Sequence, residues 1–368
     1  MITLFGATGY TGRLIAHTLD REKIAFRIAG RSEEKLATLS AELGAKPEWL
    51  VADALKPATL PALFSGSRML INCAGPFTDL GEKVIAQAAM AGVHYLDMTN
   101  ELGYVFRART YDEMAQRTGA ALVPACGFEV AFADCAANLL GQEMAPDPDS
   151  ELLDEINVVY ALGGAGASRG TRKSAVRSLA TSWITYRDGD WVGQIPGGKV
   201  RRFTLPGGIT RHALNFPSSE SVTLPAHLPV RKVDAWMTTT PGARFWAPVL
   251  VPLFARLSRS ILRPLILSIA ERGGASPSTA LDESIRADSP FIILVQIRRG
   301  GDIRWTAIEG KDPYGLTAEI AVYMAARMTA PEYSVSGLLA PSQAADPAAF
   351  LAHAQQHWGL TVTRGTGE

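Results

Sequence analysis

The sequence predicts an α/β protein: a Rossmann-type, doubly wound parallel sheet with an inserted α/β domain built on a mainly antiparallel sheet. Three observations carry this expectation. Short apolar runs alternate with helix-patterned stretches through the first third of the chain. The first of those runs leads into GATGYTG, whose glycines Gly6, Gly9 and Gly12 sit three apart. After about Asp134 the pattern changes to strands divided by Gly/Pro turns.

The elements follow in order. Ile2–Phe5 (ITLF) reads as a strand, and a helix is expected from about Gly12 to Leu19. Phe26–Ala29 reads as a second strand, and the stretch from Glu33 has helical spacing through Leu36, Leu39 and Leu43. Trp49–Ala52, Met69–Asn72, Val93–Asp97 and Ala121–Pro124 are further strand candidates. Met144–Glu151 reads as a linker. Beyond it INVVYAL, WVGQIPGGKVRRFTL, ESVTL and FIILVQIRR are expected as strands. DPYGLTAEIAVYMAARM supplies an amphipathic helix, and the Ala-rich tail from Pro341 a helix and a last strand. The expected domains are 1–130 plus about 311–368, and an inserted 131–310.

GATGYTG lies between a strand and a helix, as a dinucleotide fingerprint requires. Glycine permits the sharp turn and the close approach of a pyrophosphate, whose charge faces the helix N-terminus. The spacing is GxxGxxG rather than GxGxxG, and a plain strand-to-helix turn is the alternative. Thr8, Tyr10 and Thr11 offer hydroxyls to phosphate or to water. The second strand ends in Gly30, Arg31 and Ser32, where an NAD site usually places an acid. Arginine suits a 2′-phosphate, so NADP(H) is the expected cofactor; Ser32 also suits a helix cap. Asp53 is placed to accept from an adenine amino group or to face solvent. Asn72, Cys73, Ala74, Gly75 and Pro76 end the fourth strand with small residues that admit a nicotinamide ribose, or simply terminate it.

GATGYTG, AGRS, NCAGPF, AGVHYLDMTNE, PACGFEVAFAD, GTRKS and DPYGLTAE occur in this order. So arranged, the chain resembles the saccharopine dehydrogenase-like oxidoreductases, and more closely their short bacterial members of the trans-acting enoyl reductase type. The resemblance implies an NADP-binding Rossmann domain and an inserted domain that forms the substrate cleft. It places Gly6, Gly9, Gly12, Arg31 and Ser32 on the cofactor motif, and Gly75 and Pro76 on the nicotinamide-side loop. The chain departs from the family pattern at Thr99–Glu101, Gly127–Asp134, Arg169–Ser174 and Asp312–Gly315. These lie where the substrate is expected, so its substrate is expected to differ.

Hydride transfer asks the protein for orientation, exclusion of water and a proton donor. Cys126, Glu129 and Tyr314 are the expected catalytic residues. Each has a structural alternative, such as a buried small residue or a helix-start acid. Tyr95, Asp97, Glu101 and Lys173 are further donors by type, with Asp97 and Glu101 alternatively closing a strand end. Arg169, Arg172 and Lys173 form a basic cluster suited to an anionic substrate group or to solvent. His353 and His357 are spaced i, i+4 without a third ligand nearby, so a surface pair is expected and no metal site.

The composition narrows the partners. The chain has 368 residues with 36 basic and 36 acidic side chains, so no general attraction to nucleic acid arises. Cys73, Cys126 and Cys135 lack CxxC spacing, so thiols in a cytoplasmic setting are expected. The greasiest segment starts at Phe245, and its longest uncharged run is eleven residues, short of the roughly 20 that span a bilayer. Pro248, Pro252 and Pro264 are expected to break any long helix there. The segment would pack on its own domain, meet a homodimer partner, or face a membrane or lipid-like substrate. A small-molecule oxidoreductase is the leading reading. A non-catalytic NADPH-binding sensor or scaffold and a membrane-surface reductase are the alternatives.

Overall fold

The computed structural model describes residues 1–146, 152–163, 183–240, 242–260 and 286–367. The basic cluster Arg169, Arg172 and Lys173, and Pro264, lie outside the described residues. Two compact units emerge: one of 1–100, 104–131 and 314–345, the other of 101–103, 132–313 and 346–368.

The first unit is built on a parallel sheet. Its strands are β1 (Ile2–Phe5), β2 (Phe26–Gly30), β3 (Trp49–Val51), β4 (Met69–Asn72), β5 (His94–Asp97), β6 (Ala121–Val123) and, late in the chain, β15 (Gly337–Leu338). Their order is β15-β6-β5-β4-β1-β2-β3, and every pair is parallel. Continuous apolar runs suit such strands, because helices cover both faces; β1, β4 and β5 are buried at every position. The order reverses at β1, with β2 and β3 on one side and β4–β6 on the other. The carboxyl end of β1 is therefore the switch point where open α/β sheets take ligands, and GATGYTG occupies it.

Helix α1 spans Tyr10–Arg21, starting two residues before the expected Gly12. Gly9 caps it, and Gly12 lies inside, packed on the turn. Helix α2 spans Glu33–Glu42, as the Leu36, Leu39 spacing predicts.

The second unit carries a nine-stranded sheet. It comprises β7 (Glu155–Leu162), β8 (Ile184–Arg187), β9 (Asp190–Gly193), β10 (Val200–Leu205), β11 (Ile209–Asn215), β12 (Lys232–Thr238), β13 (Pro290–Arg299), β14 (Asp302–Lys311) and β16 (Thr361–Thr366). All pairings are antiparallel except β12 with β7. Val159, Phe203, Ala213, Trp236, Leu294 and Ala307 form one core cluster on this sheet.

Three expectations differ from the structure. ESVTL is not a strand: Glu220–Thr223 is a short helix, continued by a 3-10 turn at Leu224–Ala226. The preceding Pro-Ser-Ser is a helix-start signal, and Pro225 sits early in the turn, where proline is tolerated. The tail beyond Asp346 belongs to the second unit rather than the first, because β16 pairs along β14. Pro248 and Pro252 do not break the greasy segment, since one helix runs through both as Ala243–Leu257. A proline removes one ladder N–H while its φ suits a helix, and burial of Ala247, Pro252 and Ala255 holds this one in place.

Candidate active site at the carboxyl edge of the parallel sheet

The glycine turn is tied to β2: the Gly6 and Ala7 N–H groups donate to Ala29 O at 2.9 and 3.2 Å. Gly6 has φ +79°, and a Cβ there would lie 2.7 Å from Ala74 N. A Cβ on buried Gly12 would lie 2.3 Å from Gly6 O. Both positions therefore admit only glycine without backbone movement. No side chain caps α1, and its first turn holds no acid. The positive end of the helix dipole is left to an external anion, as a pyrophosphate seat requires. The residues present therefore fit a dinucleotide.

Arg31 is exposed just past β2. Ser32 caps α2, its Oγ accepting from the Lys35 N–H at 3.4 Å. Thr8, Arg13, Glu34, Lys35 and Thr38 line a hollow of about 340 Å³. Lys35 and Thr38 stand one and two turns into α2, a place that motif reading passed over. Tyr10 starts α1, and Thr11 follows it half-buried. Asp53 braces its own loop, with Oδ1 accepting from the Leu55 N–H at 3.0 Å.

The loop after β4, Cys73–Pro76, is held by hydrogen bonds from β4 and β5. The Ala74 N–H donates to Asn72 Oδ1 at 2.9 Å, and Asn72 Nδ2 donates to the Tyr95 hydroxyl at 2.9 Å. Gly75 is exposed and Pro76 precedes the helix Phe77–Ala91. Tyr95 and Tyr104 both reach Asp97 Oδ2 at 2.8 Å, and their hydroxyls lie 2.9 Å apart. Three oxygens thus form a triangle. With Asp97 ionised, two phenol protons fill two edges; a proton on Oδ2 fills the third. Oδ1 accepts from the Thr99 and Ala125 N–H groups at 3.0 Å each, as a carbonyl oxygen does. Burial raises the Asp97 carboxyl to about 6, against those hydrogen bonds that lower it. Burial also pushes Tyr95 and Tyr104 well above the ordinary phenol value. Asp97 and Tyr95 thus tie β5 to the loops after β4 and β6 and to Tyr104.

Cys126 is fully buried, and its N–H donates to Asp97 O at 2.7 Å. Glu129 is half-buried in the first turn of the helix Phe128–Met144. The Phe128 N–H donates at 3.3 Å to Thr317 Oγ1, on the helix Pro313–Met328, one turn beyond Tyr314. Tyr314 meets Tyr10 edge to face, ring centroids 5.1 Å apart. Tyr314 thus adjoins the glycine turn, and Cys126 and Glu129 flank Phe128 in sequence, which bonds to the helix that carries Tyr314. Tyr104, outside the quoted motifs, and Thr317, within DPYGLTAE, join these contacts. Elsewhere, the His353 and His357 rings stack with centroids 4.2 Å apart on the helix Pro347–His357.

Comparison with known proteins agrees with this geometry. Residues 2–124 match the family model of the saccharopine dehydrogenase NADP binding domain. The trans-acting enoyl reductase of Mycobacterium ulcerans is 33% identical over 195 residues, 50% of this chain and 47% of that protein. The trans-acting enoyl reductase of Mycobacterium leprae is 32% identical over 187 residues, 49% of this chain and 45% of that protein. The match thus spans about half the length of these curated relatives. Apo saccharopine dehydrogenase (L-Glu forming) from Saccharomyces cerevisiae shares the fold, with a TM-score of 0.63 at 13% identity over 100% of this chain and 99% of that one. Residues 2–124 accordingly match an NADP binding domain of the saccharopine dehydrogenase type, and the cofactor is NADP(H).

Proposed function

We propose that the chain is an NADPH-dependent oxidoreductase that reduces an imine or an activated C=C bond of a small organic substrate. One observation carries the reading: the α1 N-terminus without a side-chain cap on its glycine-rich turn, inside a matched NADP binding domain. NADPH supplies a hydride when bound. Gly6, Gly9 and Gly12 admit the pyrophosphate, with Thr8, Tyr10 and Thr11 around it. Arg31 and Ser32 receive the 2′-phosphate, and Asp53 borders the adenine. Ala74, Gly75 and Pro76 border the nicotinamide ribose. Cys126, Glu129 and Tyr314 are the groups proposed to meet the substrate, Glu129 and Tyr314 as proton donors. The relatives' name, enoyl reductase, supports the C=C alternative. A cytoplasmic setting is part of the proposal, supported by Cys73, Cys126 and Cys135, which form no disulfide.

Two measurements test it. Arg31→Ala is expected to weaken NADPH binding about tenfold to a hundredfold while leaving NADH unchanged. Fluorescence titration with both cofactors reads the ratio, and an unchanged ratio removes Arg31 from the 2′-phosphate site. A panel of imines and enones, followed by loss of NADPH absorbance, tests the reaction. Tight NADPH binding without turnover on any of them favours a sensor or scaffold.

A further inference from the structure

The helix Ala243–Leu257 presents an apolar face to solvent. Phe245 is 72% exposed and Val249 65%, with Trp246, Leu250, Leu253 and Leu257 exposed beside them. At 100° per residue these six fall in an arc of about 140°. The opposite side is committed: Ala247, Pro252 and Ala255 are buried, and Val251 packs over Gly197, where a Cβ would lie 2.6 Å from it. An exposed apolar patch of this kind marks an interaction surface.

The charge around the helix identifies the partner. Residues 195–219 and 242–260 hold Lys199, Arg201, Arg202, Arg211, Arg244, Arg256 and Arg259, and no Asp or Glu, in a chain whose formal net charge is zero. The helix packs beside β11, so the basic β10–β11 hairpin is its neighbour in this unit. Arg201 is engaged with Glu155 at 3.0 Å, whereas Arg202 and Arg211 are exposed. Arg244 lies over the Phe245 ring at 4.5 Å, and Arg259 over Trp183 at 4.5 Å. Arg256 is exposed at the edge of the apolar arc.

We propose that this surface docks on an anionic lipid bilayer, with the helix lying in the interface plane. A bilayer takes the aromatic and aliphatic side chains into its boundary while Arg256 and Arg244 reach lipid phosphates. A second copy of the chain fits less well. Isologous packing of this face would bury Arg256 with no acid on the face to pair with it. The helix lies on the membrane rather than through it: among the described residues no helix is long and apolar enough to cross. The docking proposal stands apart from the cofactor reading, whose residues lie in the other unit.

The test is flotation of the full chain with two kinds of vesicle, phosphatidylcholine alone and phosphatidylcholine with about 30% phosphatidylglycerol. The chain is expected to float with the anionic vesicles and not with the neutral ones. Trp246→Ser with Leu253→Ser, and separately Arg244→Gln with Arg256→Gln, are each expected to lower the bound fraction about tenfold. NADPH affinity, read on the same variants, is expected to equal that of the parent and shows that they fold. Equal binding to both vesicles, or undiminished binding by either variant, overturns the proposal. So does a solution dimer that the serine variant dissociates in a chain that ignores vesicles, because a second copy then covers the face. Absence of NADPH binding by the parent chain counts against the cofactor reading alone; vesicle binding in that chain still supports the docking surface.

Discussion

Gly6→Ala is expected to abolish NADPH binding and to lower the thermal midpoint by roughly 10 °C. Two costs add. An L-residue at φ +79° pays about 1–2 kcal/mol for the left-handed backbone. Its Cβ then meets Ala74 N and Cys73 C at 2.7 Å each, and both are backbone atoms that cannot turn aside. The Cys73–Pro76 loop has to shift, which brings the total to about 3 kcal/mol. Gly66→Ala is the control. Gly66 has φ +68° with nothing within 4 Å of an added Cβ, so only the backbone cost applies. Thermal melts and NADPH fluorescence read both variants. A Gly6→Ala chain that binds NADPH like the parent would show that this turn is not the pyrophosphate seat.

Asp97 sets a second, pH-dependent effect. Its carboxyl rises from an ordinary 3.8 to about 6 in the folded chain, by burial first. Below 3.8 it is protonated folded and unfolded alike; between 3.8 and about 6 only the folded chain keeps the proton. Its contribution to stability is therefore complete in acid and is lost as pH rises through about 6, by about 3 kcal/mol in all. Its neighbours do not titrate in that window. Burial and Asp97 push the Cys73 thiol up to about 12, and Tyr95 and Tyr104 lie higher than ordinary phenols. His94, lowered by burial and by Arg68, contributes the opposite slope. The comparison of parent with Asp97→Asn cancels it, since both chains carry His94.

Asp97→Asn keeps an acceptor for the Thr99 and Ala125 N–H groups and donors toward the phenols. Urea unfolding at pH 4 and pH 7 is expected to show a loss of stability on raising the pH that is smaller by about 2 kcal/mol in Asp97→Asn, since part of the full effect is already lost at pH 4. Identical pH dependence in the two chains would mean that Asp97 keeps an ordinary carboxyl. Asp97→Ala strands two N–H groups and two phenols in the interior, and is expected to cost about 3–5 kcal/mol at either pH.

Strands β1–β6 were legible because each is a short apolar run bounded by turn residues, whereas the two-residue β15 carries no such run. Ends shifted by a residue or two, as at Val93, where the strand starts instead at His94. The capping role of Ser32 was legible too, since a cap is a contact three residues long. ESVTL misled because so short a piece contains too little of either period to show it. The place of the tail beyond Asp346 was not legible for a different reason. β16 has no local signal that it pairs with β14, some 60 residues earlier along the chain.

What the sequence determined by itself was the nucleotide turn, the parallel sheet that carries it and the change of pattern after about Asp134. All of these rest on residues adjacent in the chain. What tertiary structure alone decided was the support of the site and the fate of the greasy segment. Asn72, Tyr95, Asp97, Tyr104 and Ala125 meet only because parallel pairing of β4, β5 and β6 aligns their carboxyl ends. The sequence offers Asp97 and Tyr95 as proton donors by type; the tertiary structure joins them with Tyr104 in a closed triangle of oxygens. Periodicity marks residues 243–257 as apolar, but only packing shows which side is spent on the protein and which is left to a partner. Local pattern specifies what an element can be, and long-range packing specifies which of its groups remain available.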